Sequence, residues 1–84
     1  MRYRIVFTKR AAKDISRLEL GVKRRIIETL ERYCEDPLSY ARKMLDASLG
    51  TYRFKIGDYR IIFDLEGKEI VVLRIGHRRE IYRR

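Results

Sequence analysis

Several residue types that mark common classes of protein are scarce or missing from this sequence. Cys34 is the one cysteine, so no internal disulfide and no cysteine-rich metal site can form. Its place at the end of an apolar stripe makes it a buried helix residue rather than a reagent. His77 is the one histidine, and there is no HExxH motif, no Cys/His ligand set and no glycine-rich phosphate loop. The 12 acidic residues are scattered, which argues against a two-metal nuclease. Ser16, Ser39 and Ser48 have no accompanying His/Asp arrangement in the sequence. No stretch approaches the roughly 20 apolar residues of a membrane-crossing helix. Met1 to Phe7 alternates charged with apolar residues and lacks the apolar run of a signal peptide. A cytoplasmic chain without membrane contact is therefore expected. Repeats, linkers and low-complexity segments are missing too. The 84 residues suit one domain, 1–84, and are too few for two.

What the sequence has in excess is positive charge. Lys and Arg number 21 against 12 Asp and Glu, a formal net charge of +9. Such a surplus points to a polyanion, most often nucleic acid, or to an acidic protein partner. The competing reading is a cation-rich surface that is simply well solvated. Hydrophobic residues make up 45%, enough for a core. A chain this short buries only about 60% of its unfolded surface, so its stability should be modest unless a partner adds to it.

The apolar pattern predicts an α+β domain. Arg2 to Phe7 reads as a strand with Tyr3, Ile5 and Phe7 on one face. Thr8 offers a hydroxyl cap to a helix carrying Ala11, Ile15 and Leu18 at helical spacing, with Lys9, Arg10, Lys13 and Arg17 turned outward. Gly21 is read as the break before a second helix, whose stripe is Val22, Ile26, Leu30 and either Tyr33 or Cys34. That helix ends by Asp36-Pro37, because proline disfavours helix at the residue before it. Between 38 and 50 the pattern is weak, and Ala41 to Leu45 reads equally as an edge strand or an ordered loop. From Thr51 a meander follows, with strands over Tyr52–Ile56, Arg60–Leu65 and Ile70–Ile75. The predicted order is β-α-α-β-β-β(-β), a helical hairpin packed on one face of a mainly antiparallel twisted sheet.

A two-residue turn at Gly57-Asp58 sets the register. It pairs Ile56 with Tyr59, Lys55 with Arg60, Phe54 with Ile61 and Arg53 with Ile62. Phe54 and Ile56 then face the helices, while Lys55 and Arg60 oppose each other on the open face with Arg53 two residues along. Like charges directly opposite on a sheet are destabilising, and a face that carries them usually has an anion to place there. A three-residue turn at Glu66 to Lys68 would put Val71, Leu73 and Ile75 in the core and Arg74 on the open face beside Arg60. A two-residue turn would reverse this; the first is preferred because a buried arginine needs a partner. After Gly76 the tail supplies His77, Arg78, Arg79 and Tyr82, so that cations would wall a groove with one imidazole and one phenol nearby.

The run Tyr52-Arg53-Phe54-Lys55-Ile56-Gly57-Asp58-Tyr59-Arg60-Ile61-Ile62-Phe63 resembles the central hairpin of RelE/ParE toxins. Val72-Leu73-Arg74-Ile75-Gly76-His77-Arg78-Arg79-Glu80-Ile81-Tyr82 is similar to their last strand and tail, and the N-terminal half matches in order. The resemblance implies a single RelE-like toxin domain from a type II toxin-antitoxin pair, bound by a small acidic RelB-like antitoxin in a heteromeric complex. It further implies cleavage of mRNA on the ribosome without metal or other cofactor, as in the RelE branch. The ParE branch instead poisons DNA gyrase, and a catalytically retired RNA-binding relative is a third alternative. The positions matching RelE-like catalytic residues are Arg53, Lys55, Arg60, Arg78 and Tyr82. Arg53 is an arginine where RelE often has lysine. Arg74, His77 and Arg79 are the expected additional RNA contacts.

Overall fold

The computed structural model describes residues 2–81. Its elements are β1 (Arg4–Phe7), α1 (Lys9–Ser16), α2 (Leu20–Tyr33), a 3-10 turn (Pro37–Ser39), β2 (Arg42–Lys43), β3 (Tyr52–Ile56), β4 (Tyr59–Glu66) and β5 (Glu69–His77). The strands form one five-stranded sheet in the order β1-β5-β4-β3-β2. β1 runs parallel to β5 and every other neighbouring pair is antiparallel. The chain thus crosses from one edge to the other by way of the helices and meanders back, as the α+β reading expects. The uncertain 41–45 stretch resolves as an edge strand, two residues long.

Helix α1 begins where Thr8 Oγ1 accepts the Ala11 N–H at 3.1 Å, the cap expected from its hydroxyl. Ala11 is buried, Ile15 and Leu18 pack on the core, and Lys9, Arg10, Lys13 and Arg17 line the outer side. The break between helices falls before Gly21, not at it. The Arg17 and Leu18 N–H groups donate to Asp14 and Ile15 carbonyls, which closes α1 early, and Gly21 lies inside the first turn of α2. From α2 the core receives Ile26, Leu30 and Cys34. Tyr33 borders the core as well, stacking on Tyr40 with ring centroids 4.1 Å apart. On the sheet, Phe54 and Phe63 stack at 4.2 Å and lie among Ile61, Ile70, Val72 and Ile75.

The β3–β4 register is the one that the Gly57-Asp58 turn predicts, pair for pair. Gly57 has φ +59° and Asp58 does not have positive φ, which fits a hairpin turn with glycine first. The β4–β5 connection differs from the expected three-residue turn. Glu66 pairs with Glu69, so the loop is Gly67-Lys68 alone, and Ile70 and Val72 face the core in place of Val71 and Leu73. A bulge opposite Ile62/Phe63 then absorbs Leu73 and reverses the phase. Ile75 returns to the core as expected, but Arg74 stands across from Ile62 and not beside Arg60, whose partner is Gly76; the register is shifted by two residues from the expected one.

The face turned away from the helices is also not open throughout. Ile62 lies on it and is fully buried, because the segment between β2 and β3 folds over it. Thr51 N–H donates to Asp64 Oδ1 at 2.8 Å and holds this cover in place. Gly50, with φ +151°, sits so close that an added Cβ would lie 2.6 Å from Ile62 Cγ2 and 3.0 Å from Leu73 Cδ1.

This packing separates two glycines. Gly50→Ala should lower the unfolding free energy by about 3 kcal/mol through overpacking and backbone strain. Gly67→Ala, where a Cβ meets nothing within 4 Å, should cost only about 1 kcal/mol for its left-handed φ. Urea titration of both variants measures the difference. Burial pushes the Cys34 thiol up from its ordinary range, against a smaller lowering by Arg2. Cys34 should therefore resist a thiol reagent at mildly alkaline pH in the folded protein and react at once in concentrated guanidinium.

Candidate nucleic-acid interface

On the outward face of β2, β3 and β4, four cations stand in two adjacent rows. Lys55 is directly opposite Arg60, and Arg53 is directly opposite Arg42. Residues two apart on a strand share a face and are separated by about 6.7 Å, so the rows lie side by side. Lys55 and Arg42 are exposed and Arg53 is half-buried. Arg60 is 9% exposed, and its Nη1 donates to the Gly57 carbonyl at 3.1 Å and the Tyr59 carbonyl at 3.0 Å. The hairpin thus fixes its own arginine with carbonyl dipoles, which orient the guanidinium without neutralising it. Among the described residues, no carboxylate forms an ion pair with Arg42, Lys55 or Arg60.

The tail is clipped to the end of the Lys55/Arg60 row. Arg78 N–H donates to the Asp58 carbonyl at 2.7 Å, and Arg78 Nε lies 3.8 Å from Asp58 Oδ1. Glu80 and Ile81 donate their N–H groups to the His77 carbonyl, closing one turn that returns Ile81 over the sheet. Ile81 is buried against Gly76, where an added Cβ would lie 2.9 Å from its Cδ1. A side chain there would have to push the Ile81 methyl aside, and Gly76 is the partner of Arg60 on β5. Arg79 is exposed. Tyr82, the expected tail phenol, lies outside the described residues.

Two expected members of the groove are elsewhere. His77 pairs with Tyr59, so alternation places it on the opposite side of the sheet from Lys55 and Arg60. Its ring meets Tyr59 edge-on at 5.5 Å, and its Nδ1 accepts the Arg79 N–H at 3.1 Å. It borders a cleft of about 410 Å³ between α1 and β5 with Asp14, Arg17, Leu18 and Arg74. Arg74 lies opposite Ile62 and not beside Arg60, and its Nε donates to Asp14 Oδ2 at 2.8 Å. The same oxygen accepts the Ile75 N–H at 3.0 Å, so one carboxylate pins the edge of β5 where β1 has ended. Arg53, Lys55 and Arg60 are thus brought together with Arg78 at their margin; Arg74 and His77 are not. Arg42 escapes a reading of the sequence because 38–50 lacks a clear period. Laying Ala41–Leu45 antiparallel to 52–56 is the operation that finds it.

Residues 5–82 match the family described as the ParE toxin of the type II toxin-antitoxin system parDE. The chain belongs to this family of the RelE/ParE superfamily. Toxin RelG of Mycobacterium tuberculosis is 30% identical over the whole of both chains. Toxin RelE3 of Methanocaldococcus jannaschii is 29% identical over 94% of each. Among solved structures, the toxin-antitoxin complex RelBE2 of M. tuberculosis superposes with a TM-score of 0.82 at 22% identity, covering 92% of this chain and 99% of that one. The archaeal RelE-RelB complex of Pyrococcus horikoshii gives 0.74 at 25% identity, covering 95% and 99%. No helix among the described residues is long and apolar enough to cross a membrane.

Removing the Asp14 carboxylate leaves both Arg74 Nε and Ile75 N–H without their acceptor. Asp14→Ala should cost roughly 2 kcal/mol, and Asp14→Asn, which keeps one acceptor oxygen, visibly less. Urea denaturation of the two variants reads this order directly.

Proposed function

We propose that this toxin is an endoribonuclease that cuts mRNA on the ribosome, using the Lys55/Arg60 row as its catalytic centre. The observation that carries this reading is an exposed lysine facing a buried, oriented and charged arginine, with further cations on both sides. A row that tolerates such repulsion with no carboxylate ion-paired to it among the described residues is suited to a phosphate diester.

In the proposed reaction the 2′-oxygen of one nucleotide forms a bond to the adjacent phosphorus, and the bond from phosphorus to the 5′-oxygen of the next nucleotide breaks. The products are a 2′,3′-cyclic phosphate and a 5′-hydroxyl. Lys55 in its neutral form takes the 2′-hydroxyl proton. Arg60 and Arg53 stabilise the charge that builds on the phosphorane oxygens. Arg78 is the candidate acid. Because a guanidinium gives up a proton reluctantly, its main service is positive charge beside the leaving oxygen. Tyr82 would hold an unpaired base by stacking. Arg79 extends the cationic approach, while Arg74 and His77 contribute through the fold of the β5 edge and tail. No metal or other cofactor has a step in this scheme. The partner is an acidic RelB-like antitoxin, and the setting is the cytoplasm, where mRNA and ribosomes are.

A second reading is a gyrase poison without nuclease activity, favoured by the family match to ParE toxins. Adding the protein to a cell-free translation reaction and mapping mRNA 5′ ends by primer extension separates the two. Wild type should produce new ends within translated codons, and Lys55→Met should reduce them at least ~100-fold while the protein stays folded. Intact mRNA together with inhibited DNA supercoiling would establish the gyrase reading. Full cleavage by Lys55→Met would remove Lys55 as the base.

A further inference from the structure

We infer that His77 is the positioning residue for Arg78, closing the turn that carries it through the ring nitrogen Nδ1. Its consequence for cleavage rests on the ribonuclease reading, whereas the turn itself is independent of it. Arg78 is exposed, and its Nε lies 3.8 Å from Asp58 Oδ1, beyond hydrogen-bond length. An exposed ion pair of that length holds a side chain weakly. What fixes Arg78 is its backbone. The N–H of the peptide before its Cα donates to the Asp58 carbonyl at 2.7 Å. The N–H of the peptide after it, that of Arg79, donates to His77 Nδ1 at 3.1 Å. With both flanking peptide planes tied, φ and ψ of Arg78 are set, and with them the direction in which its side chain leaves the turn.

A side chain that accepts the N–H two residues ahead makes the arrangement of an Asx turn, which asparagine and aspartate normally supply. An imidazole can take that place only with Nδ1 unprotonated, so the ring proton sits on Nε2. The ring is held by Tyr59, its cross-strand partner, which meets it edge-on at 5.5 Å. The His77 carbonyl closes the same turn from the backbone, accepting the Glu80 and Ile81 N–H groups at 2.8 and 2.9 Å, and Ile81 is buried. Among the described residues, the Nδ1 bond is what ties the peptide between Arg78 and Arg79. A general acid or base must come within about 3.2 Å of the oxygen it serves. Here Nδ1 is engaged by Arg79, and His77 leaves the sheet on the side opposite Lys55 and Arg60. His77 thus acts on the reaction through Arg78 and not by proton transfer.

The test pairs amide hydrogen exchange in the free protein with cleavage in the translation assay. Exchange at the Arg79 amide should quicken several-fold in His77→Ala and in His77→Gln, whose oxygen lies one carbon too far along. It should stay slow in His77→Asn, whose oxygen takes the place of Nδ1. His77→Ala should lower cleavage by ~10- to 100-fold, the scale of a misplaced group. His77→Asn should recover most of that loss, and His77→Gln should not. His77→Ala combined with Arg78→Ala should cut mRNA as well as Arg78→Ala alone, because the first change acts only through the second. Equal Arg79 exchange in wild type and His77→Ala would overturn the positioning role, as would a folded His77→Asn as impaired as His77→Ala. A double variant that multiplies the two losses would give His77 a role of its own and overturn it too. Intact mRNA with wild type would reject the ribonuclease reading alone. The predicted exchange pattern, with matching and non-additive losses of His77→Ala and Arg78→Ala in binding a 2′-O-methyl hexanucleotide, would then still establish His77 as the residue that positions Arg78.

Discussion

Forced repulsion between Lys55 and Arg60 is the constraint on which the rest of the molecule turns. The Gly57-Asp58 turn admits only the register that places them opposite each other, and a one-residue slip would carry Phe54 and Ile56 out of the core. The apolar residues therefore hold the cations in place. Phe54, Ile61 and Phe63 are fully buried beneath Ile26 and Leu30 of α2, and their burial outweighs a cross-strand repulsion of at most about 1 kcal/mol. The charged face stores that repulsion, which an anion bound there would relieve.

The two sides of the sheet divide the labour. Toward the helices lie the aromatic stack and the branched residues of β4 and β5. Away from them, an apolar half around Ile62 is roofed by the segment at Gly50, and the other half carries the cations, of which Lys55 and Arg42 are exposed. Asp14 serves this arrangement from α1 by taking the Ile75 N–H and Arg74 Nε at the edge that β1 leaves unpaired. Gly76 and Ile81 then bring the tail back to the margin of the charged face. A small chain with a net charge of +9 thereby keeps its cations from one another where it can and opposes them where a phosphate is expected.

What is legible in the sequence, and what is not, follows from the range of the forces involved. The β3–β4 hairpin is readable because a glycine turn between two alternating runs is a local signal. So is α1, whose cap is three residues from its partner. The Gly67-Lys68 turn defeats local reasoning because its length is coupled to a bulge at Leu73, a site where Gly50 packs in from another part of the chain. Arg74 looks like a groove residue because its partner, Asp14, is 60 positions away. Proximity in sequence groups His77 with the cations, yet strand alternation carries it to the other side. Arg42 is hidden for the converse reason: β2 is two residues long and is defined by its pairing, with no period of its own.

The central claim is that the cationic face performs a 2′-hydroxyl attack. Its most direct measurement is the end chemistry of mRNA fragments recovered from translating ribosomes treated with the toxin. The account predicts downstream fragments that polynucleotide kinase labels without prior phosphatase treatment, because they carry 5′-hydroxyls, and upstream fragments that end in 2′,3′-cyclic phosphate. Downstream fragments bearing 5′-phosphates with upstream 3′-hydroxyls would contradict it, since they require water or another external nucleophile in place of the ribose.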